Sequence, residues 1–322
     1  MKSLFDQTLL GSLNLKNRFI RAAIHENMPN HEIKSRLFEQ FEKLAKGGVG
    51  TIITGFTLVD DTEKLYPMMA FYNDSFFDDH KKLVDLTHSF GAKIILQIVY
   101  VGSYIMGDTN GVAPLAPSAV ENLNNQVMPK AMNIDEIDRV QANFAAAALR
   151  AKNAGYDGVE IHAAHGFLLS QFMTPHYNRR QDIYGGSTEN RARMAIETYK
   201  RVREKVGKDF QVWIKINAID GIENGVKFDD VLYLCDELTK GGINAIEISG
   251  SWWHIKQSGA YFTKEAEAIA ACNKTAVILT GGNNDFNEMT EILNHTDIEY
   301  FGLARALAKE PNLINQFASE FL

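Results

Sequence analysis

The sequence predicts an α/β fold, a (β/α)8 TIM barrel in which eight parallel strands form a closed ring surrounded by helices. Eight short apolar runs rich in β-branched residues alternate with eight longer amphipathic segments along the 322 residues. This alternation indicates parallel strands joined by helical crossovers, and eight repeats close a barrel. The nearest alternative is an open doubly wound sheet. No G-x-G-x-x-G follows the first strand, which disfavours the dinucleotide-binding form of that sheet.

The predicted elements follow one another in a regular order. Strands are predicted at 19–23, 50–54, 93–98, 158–162, 211–216, 245–249, 276–280 and 299–303. Helices are predicted at 35–46, 77–90, 134–154, 188–206, 228–240, 263–271, 285–294 and 309–321. A turn at 11–12 predicts an N-terminal hairpin that caps the floor of the barrel. We expect residues 1–322 to form a single domain.

Residue types at the helix ends support these boundaries. Asn133 is a predicted N-cap with Glu136 three positions later, and Ser187 is another with Asn190. Gly155 follows the third predicted helix, where a left-handed cap is favoured. The long connection at 99–132 is rich in Gly, Asn and Pro, and loops of that length in a compact domain usually carry function.

Composition excludes several classes of protein. The chain is 45% hydrophobic and 23% charged with a net charge of −7, and it has no cluster of Lys and Arg that would indicate a nucleic-acid surface. It has no apolar run long enough for a membrane span and no signal-peptide pattern at its start. Two cysteines, Cys235 and Cys272, are too few for a disulfide framework. We therefore expect a cytoplasmic protein that binds neither nucleic acid nor membrane.

The barrel prediction locates the functional site. Active sites of such barrels lie at the carboxyl ends of the strands. Small, polar or charged residues follow the predicted strands at those ends: Ala22, Ala23, Ile24, His25, Thr54, Gly55, Phe56, Gln97, His162, His165, Lys215, Ser249, Gly250, Gly281, Gly282, Ala304 and Arg305. We expect these residues to meet at one rim.

The ends of the last two strands predict a phosphate site. Gly281 and Gly282 follow the seventh strand, and Ala304 and Arg305 follow the eighth. Small residues let backbone N–H groups approach a ligand, and barrels frequently bind phosphate at this position. The two glycines could instead form only a tight turn, but the nearby arginine favours phosphate.

Gln97 and Lys215 suggest what the phosphate belongs to. The Gln97 amide both donates and accepts, which suits the edge of a flat heteroaromatic ring. Lys215 lies between apolar residues. Either its aliphatic chain passes through apolar packing to reach solvent, or its ammonium group faces the site. A cation beside a ring that gains electrons stabilises the reduced form. Together these residues indicate a phosphorylated heteroaromatic cofactor.

His162 and His165, in the run "EIHAAHGF", allow three interpretations. They could be structural histidines bonded within a loop. They could bind a metal together with His25, His176 or His254, although no H-E-x-x-H motif is present. They could also donate two hydrogen bonds to one substrate oxygen that becomes negative during reaction, and this third interpretation is favoured.

Several segments resemble the Old Yellow Enzyme family of FMN-dependent ene-reductases, also called NADH:flavin oxidoreductases. They are "NRFIRAAIHE" at 17–26, "ILQIVYVG" at 95–102, "APSAV" at 116–120, the run at 160–193 that begins "EIHAAHGFLLSQF", and "VILTGG" with "YFGLARALAKEP" near the end. They occur throughout the chain in the order typical of the family. The resemblance implies a barrel that holds FMN, is reduced by NADH or NADPH and then passes the electrons to an acceptor.

The resemblance also implies roles for single residues. Ala22, Ala23 and Ile24 would lie along the flavin through backbone contacts, as would Thr54, Gly55 and Phe56, and His25 would lie near its reactive edge. Gln97 would bind its pyrimidine edge with Lys215, which replaces the usual arginine and keeps the charge without the fork. Gly281, Gly282, Ala304 and Arg305 would hold the phosphate. His162 and His165 would bind the carbonyl oxygen of the acceptor.

Three departures from the family pattern affect these expectations. Phe167 stands where the family usually has its proton-donating tyrosine, so another acid is needed. Tyr100, Tyr104, Tyr177, His25, His254 and water are the candidates. His25 stands where Cys or Thr is common near the reactive edge of the flavin. The chain also ends at Leu322, so we expect it to lack the iron–sulfur segment and added nucleotide domain of larger relatives.

The predicted function is FMN-dependent reduction of an electron-poor C=C bond in an enone-like acceptor, by ping-pong hydride transfer from NADH or NADPH. Related alternatives are a flavin-dependent dehydrogenase or demethylase and a flavin-binding protein without catalysis. A more distant alternative is a flavin-free barrel lyase or hydrolase acting on a phosphorylated substrate. Trp252 and Trp253 could line the acceptor pocket or a subunit contact, and a homo-oligomer is possible on this basis.

Overall fold

Eight parallel strands close into a barrel in the computed structural model, which describes residues 1–28, 30–63, 66–105, 111–250 and 259–321. In chain order the strands are β1 (Phe19–Arg21), β2 (Thr51–Ile53), β3 (Lys93–Val99), β4 (Gly158–Ala163), β5 (Gln211–Asn217), β6 (Ala245–Ser249), β7 (Ala276–Thr280) and β8 (Tyr300–Leu303). Each strand pairs in parallel with the next, and β8 pairs with β1. The predicted (β/α)8 barrel is confirmed.

The helices that follow the strands surround the barrel. They are α1 (Ser35–Lys46), α2 (Phe77–Ser89), α3 (Ile134–Ala154), α4 (Thr188–Val206), α5 (Phe228–Lys240), α6 (Thr263–Cys272), α7 (Phe286–His295) and α8 (Leu313–Phe321). Short helices also occur at Leu168–Met173 and Arg305–Lys309. The prediction of one last helix over 309–321 is wrong at its start. Pro311 cannot continue a helix, so the chain leaves the helical region at Glu310 and α8 begins two residues after the proline.

The predicted caps of α3 and α4 are confirmed. The Glu136 N–H donates to Asn133 Oδ1 at 2.8 Å, and the Asn133 N–H donates to Glu136 Oε2 at 2.8 Å. This reciprocal pair satisfies two N–H groups that the first turn leaves without partners. Ser187 Oγ accepts from the Asn190 N–H at the start of α4. Gly155 ends α3 with φ of 93°, a left-handed conformation that glycine adopts without a side-chain clash.

The N-terminal hairpin closes the bottom of the barrel, as predicted. Strands Thr8–Leu10 and Leu13–Leu15 pair antiparallel around Gly11, whose φ is +59°. Leu10 and Leu15 are buried in one apolar cluster with side chains from inside the barrel, among them Trp213. Burying this apolar surface excludes water from the lower end.

The inner face of the barrel consists of two layers of different chemistry. The lower layer is apolar and includes Ile20, Ile95, Trp213, Ala245, Ile278 and Tyr300. Side chains two positions later on a strand point to the same face. The upper layer therefore includes Ala22, Gln97, Lys215, Glu247, Thr280 and Gly302. Small and polar side chains thus replace the apolar ones towards the carboxyl ends of the strands.

The helices in the described part of the chain include none that is long and apolar enough to cross a membrane.

The long connection after β3 contains a short parallel pair of strands, Leu115–Ala116 with Lys130–Ala131. Trp252, Trp253 and His254, which the sequence analysis considered for the acceptor pocket, lie outside the described residues.

We predict that Asn133→Ala lowers the free energy of unfolding by about 1 kcal/mol, because it removes the side-chain acceptor at the start of α3. Urea unfolding of the protein followed by circular dichroism measures the change. Asn133→Ser keeps an acceptor and is the control, with most of the stability retained. Equal stability of the alanine variant and the wild type would contradict the role of the cap.

Candidate active site

A cavity of about 1060 Å³ opens at the carboxyl ends of the strands, where the sequence predicts the site. Most of the predicted site residues line it: Ala23, Ile24, His25, Phe56, Gln97, His162, His165, Lys215, Gly281, Gly282, Ala304 and Arg305. A smaller cavity of about 580 Å³ lies near the hairpin at the other end, and no predicted site residue lines that one. The rim at the carboxyl ends is therefore the candidate active site.

Two predicted cofactor residues do not line the cavity. Ala22 is fully buried in the upper layer, where its methyl group lies close to Gly302. Gly55 is buried behind the loop after β1, and a side chain there would collide with Glu26 and with the Ile24 carbonyl. Their neighbours in sequence, Ala23 and Phe56, do line it.

His162 is oriented as a hydrogen-bond donor. It is 2% exposed at the end of β4, and its Nδ1 accepts the backbone N–H of Ala164 at 3.2 Å. We assign the ring proton to Nε2, because a neutral imidazole whose Nδ1 accepts must carry its proton on the other nitrogen. His162 also lines the cavity. It can therefore donate one hydrogen bond to a ligand there.

His165 is held by the turn that follows β4. Its φ of 59° lies in the left-handed region, which is costly for a residue with a side chain and is common at functional sites. The Asn217 Oδ1 accepts the His165 N–H at 3.0 Å, and this bond stabilises the turn. The ring Nε2 lies 2.9 Å from the Ser249 hydroxyl. The His162 and His165 rings meet edge to face with centroids 5.1 Å apart.

Burial keeps both imidazoles neutral. It lowers the pKa of His162 well below its usual value, and the neighbouring His165 and the charge of Lys215 lower it further. Burial and then Lys215 also lower the pKa of His165 to about 3. Neutral rings in a cavity wall can donate hydrogen bonds to an oxygen that gains negative charge. The arrangement favours the donor interpretation of the pair over a purely structural one.

An aromatic wall separates the histidine pair from the loop after β1. The Phe167 ring lies 4.8 Å from the His162 ring and 5.1 Å from the Phe56 ring, measured between centroids. Phe56 in turn lies 5.5 Å from His25. His25 is half-buried, and burial lowers its pKa. The wall brings His25 and His162 to the same cavity although they are distant in sequence.

Gln97 and Lys215 line the deep end of the cavity, and each is bonded to a buried carboxyl group. Gln97 Nε2 donates to Glu160 Oε2 at 2.6 Å, and Lys215 Nζ donates to Glu247 Oε1 at 2.7 Å. We call these four buried residues the polar row. The Gln97 Oε1 atom is buried and has no hydrogen-bond partner within the described structure. A buried acceptor without a donor is costly, so a ligand N–H at this position would stabilise it.

The opposite end of the cavity has the features of an anion site. Gly281 and Gly282 have φ of 128° and 81°, and a side chain on Gly282 would collide with the Gly259 carbonyl. Arg305 is exposed at the cavity mouth and donates from Nη2 to the Tyr261 hydroxyl at 2.9 Å. Close backbone approach and a guanidinium suit a phosphate group. The distribution of groups over the cavity therefore fits FMN, with the phosphate at Arg305 and the ring edge at Gln97.

Metal binding is not favoured by the geometry. In the parts of the chain that the structure describes, no group of three or more His, Cys, Asp or Glu side chains is arranged to hold a metal ion.

The candidates for a proton donor differ in where they lie. Tyr100 is buried with its hydroxyl 3.2 Å from Thr62 Oγ1, and burial raises its pKa. The Tyr177 hydroxyl accepts from the Leu123 N–H at 3.4 Å, and Tyr104 packs edge-on against Phe167. Among the described candidates only His25 is part of the cavity wall.

Sequence reasoning missed part of the site. It did not assign Glu160 and Glu247 to the polar row, or Tyr261 and Gly302 to the cavity. Glu160 precedes His162 by two positions and Glu247 precedes Ser249 by two, so strand periodicity puts each on the face of a predicted site residue. That signal was available. The segment that carries Tyr261 had no comparable pattern.

We predict that His165→Asn makes stability less sensitive to acid. The pKa of an unfolded histidine is about 6.5, and that of folded His165 is lowered to about 3. Between these values the unfolded chain binds a proton that the folded chain excludes, so folding loses about 1.4 kcal/mol per pH unit as pH falls.

Urea unfolding of the apoprotein between about pH 6 and pH 4 measures this slope. We expect a shallower slope for His165→Asn than for the wild type. Equal slopes for His165→Asn and the wild type would rule out a neutral, buried His165.

The comparisons with known proteins agree with this geometry. The model of the NADH:flavin oxidoreductase / NADH oxidase family matches residues 3–321. A metal reductase of Desulforamulus reducens is 31% identical over 335 residues, which cover 99% of this chain and 49% of that protein. An NADH oxidase of Thermoanaerobacter brockii is 33% identical over 252 residues, which cover 77% of this chain and 39% of that protein.

The chain thus spans about half the length of these relatives or less. Among solved structures, morphinone reductase in complex with tetrahydroNAD is similar with a TM-score of 0.86 at 27% identity, covering 100% of this chain and 92% of that chain. The family match extends over almost the entire chain, and the barrel and rim carry the features that the sequence resemblance implied. The chain belongs to the NADH:flavin oxidoreductase / NADH oxidase family.

Proposed function

We propose that the protein is an FMN-dependent NAD(P)H oxidoreductase that reduces activated C=C bonds of α,β-unsaturated carbonyl compounds. The observation that carries this proposal is the pair of neutral imidazoles of His162 and His165 in the wall of the cavity. The same cavity has the unpartnered amide oxygen of Gln97 and, at its mouth, Arg305. Family membership supports the flavin and the nicotinamide nucleotide.

The residues that would hold FMN lie along the length of the cavity. Arg305 and the backbone at Gly281 and Gly282 would bind the phosphate. Gln97 Oε1, which lacks a partner, would accept from a ring N–H, and Lys215 would lie at the same edge. When bound, FMN supplies the hydride chemistry between the nicotinamide nucleotide and the acceptor. The protein supplies orientation and electrostatics.

His162 and His165 would bind the carbonyl oxygen of the acceptor. Reduction at the β-carbon moves negative charge onto that oxygen, and two N–H donors stabilise the charge as it develops. The Ser249 hydroxyl holds the His165 ring in place for this role. Phe56 and Phe167 form an apolar wall beside the pair, which limits the access of water and strengthens the hydrogen bonds.

His25 would supply the proton that Phe167 cannot. Phe167 has no exchangeable proton, and His25 is the described candidate that lines the cavity. Its lowered pKa keeps the ring neutral, and a neutral imidazole both donates and accepts. It can therefore pass a proton from water to the α-carbon of the acceptor, or hydrogen-bond the reactive edge of the flavin.

An anaerobic stopped-flow experiment tests the proposed function. The FMN-loaded protein is reduced with NADH or NADPH and then mixed with enones, quinones, nitro compounds or oxygen, while flavin absorbance is followed. We expect fast reoxidation by enones. Failure of every enone, with fast reduction by a sarcosine-like donor instead, would indicate a dehydrogenase or demethylase. A protein that binds FMN but exchanges electrons with neither would be a flavin-binding protein without catalysis.

We predict that Arg305→Gln weakens FMN binding by about tenfold or more, because a hydrogen bond to a charged group contributes about 1.5–3 kcal/mol. Quenching of flavin fluorescence on titration of the apoprotein measures the dissociation constant. Arg305→Lys keeps the charge and should lose less affinity. Arg201→Gln, on α4 and away from the cavity, should lose none. An Arg305→Gln variant that binds FMN as tightly as the wild type would contradict the phosphate assignment.

We also predict that His162→Ala combined with His165→Ala leaves FMN bound but lowers the rate of enone reduction by about 100-fold or more, since loss of one such donor costs about 10²–10³. The rate of reoxidation in the second half-reaction measures this. The matched control replaces both histidines with Asn, which retains N–H donors and should recover part of the rate. Unchanged turnover in the alanine variant would remove the assigned role.

A further inference from the structure

The polar row contains more acid than base. Gln97, Glu160, Lys215 and Glu247 lie on β3, β4, β5 and β6 and are each at most 2% exposed. Gln97 bonds to Glu160, and Lys215 bonds to Glu247, at the distances given above. The row therefore has one ammonium group for two carboxyl groups, at the deep end of the flavin site.

The two carboxyl groups face each other. They are within hydrogen-bonding contact. Glu160 Oε1 and Glu247 Oε2 are both buried, and neither has a hydrogen-bond partner of good geometry in the described chain, although the nearby Thr280 hydroxyl helps to lower the pKa of Glu247. Two facing carboxylates cannot satisfy each other, because both only accept. One proton between them makes one group a donor and gives both oxygens a partner.

The charges in this region lead to the same conclusion. With both carboxyl groups ionised, the row would have a net charge of −1 inside the barrel, and an uncompensated buried charge is strongly unfavourable. His162 and His165 are neutral and do not compensate it. Burial and then the charge of Glu247 raise the pKa of Glu160 well above its usual value. Burial would raise the pKa of Glu247, but Lys215 and its hydrogen bonds lower it overall.

We propose that Glu160 and Glu247 share a single proton beneath the flavin site, and that the one negative charge they retain offsets Lys215 and so sets the reduction potential of bound flavin. The proposal rests on the proposed function, because it assumes that FMN occupies the cavity. An isolated cation at the ring edge would favour the electron-rich, reduced ring. A cation paired with a carboxylate favours it less, so the row holds the potential lower than Lys215 alone would.

Replacing either carboxyl group with an amide distinguishes a pair that carries one negative charge from a pair that carries two. If the pair carries one charge, Glu160→Gln and Glu247→Gln each remove the shared proton, and the remaining carboxylate still offsets Lys215. If the pair carries two charges, each substitution removes one of them. The double variant removes all negative charge and leaves Lys215 unpaired in both cases. Glutamine has nearly the shape of glutamate, and each single variant gives an independent measurement.

The midpoint potential of the FMN-loaded protein, measured anaerobically against a reference dye, reports these changes. We expect each single variant to shift the two-electron equilibrium by less than about threefold, and the double variant to shift it at least about tenfold towards reduced flavin, a rise of about 30 mV. Glu197→Gln, which removes a carboxylate on α4 outside the barrel, is the control and should have the wild-type potential. A tenfold shift in either single variant would overturn the shared proton. An unchanged potential in the double variant would overturn the link to flavin.

Infrared spectra of the apoprotein test the shared proton without flavin. A protonated carboxyl group has a C=O stretch that a carboxylate lacks. We expect the wild-type apoprotein at neutral pH to have such a band that is missing in both single variants. An identical band pattern in wild type and variants would overturn the shared proton. A protein that does not bind FMN would instead contradict the proposed function and the link to the reduction potential. The infrared spectra would still test the shared proton, because they are measured on the apoprotein.

Discussion

The polar upper layer of the barrel is the constraint on which the rest of the site depends. Closure of eight strands removes the inner face from water, so every polar group there must find a partner inside the barrel or from a ligand. Gln97 with Glu160 and Lys215 with Glu247 provide internal partners. The Gln97 oxygen that remains without one lies at the cavity, where a ring N–H can satisfy it. A polar floor of this kind favours a flat heteroaromatic ligand over an apolar one.

The other parts of the site use the same barrel in different ways. The apolar lower layer and the hairpin seal the bottom, and the cavity opens where the strands end. Gly302 and Ala22 are small residues of the upper layer. There is no room for a larger residue at 302, because a side chain on Gly302 would collide with Thr280. The turn after β4 is held in a left-handed conformation by Asn217, and it turns His165 back towards His162. The costly left-handed backbone conformation of this turn thus occurs at His165, a residue proposed to bind the acceptor.

Much of this arrangement follows from sequence pattern. The strands and most helices begin and end within two residues of the predicted positions, because hydrophobic periodicity and caps such as Asn133 act locally. Prediction failed where an interaction depended on the register of several strands. The contact of Glu160 with Glu247 requires the register of β4, β5 and β6, and strand pattern alone does not give that register. Ala22 and Gly55, which were expected to lie along the flavin, are buried and are not among the lining residues of the cavity, so their contact with a cofactor stays a prediction.

The most direct test of the account compares FMN with riboflavin, which has the same ring and lacks the phosphate. Titration of the apoprotein with each flavin, followed by fluorescence quenching, gives the two dissociation constants. We expect one flavin per chain, with FMN bound at least about tenfold more tightly, because only FMN can use both the polar row and Arg305. An apoprotein that binds neither flavin, or that binds both equally, would contradict it.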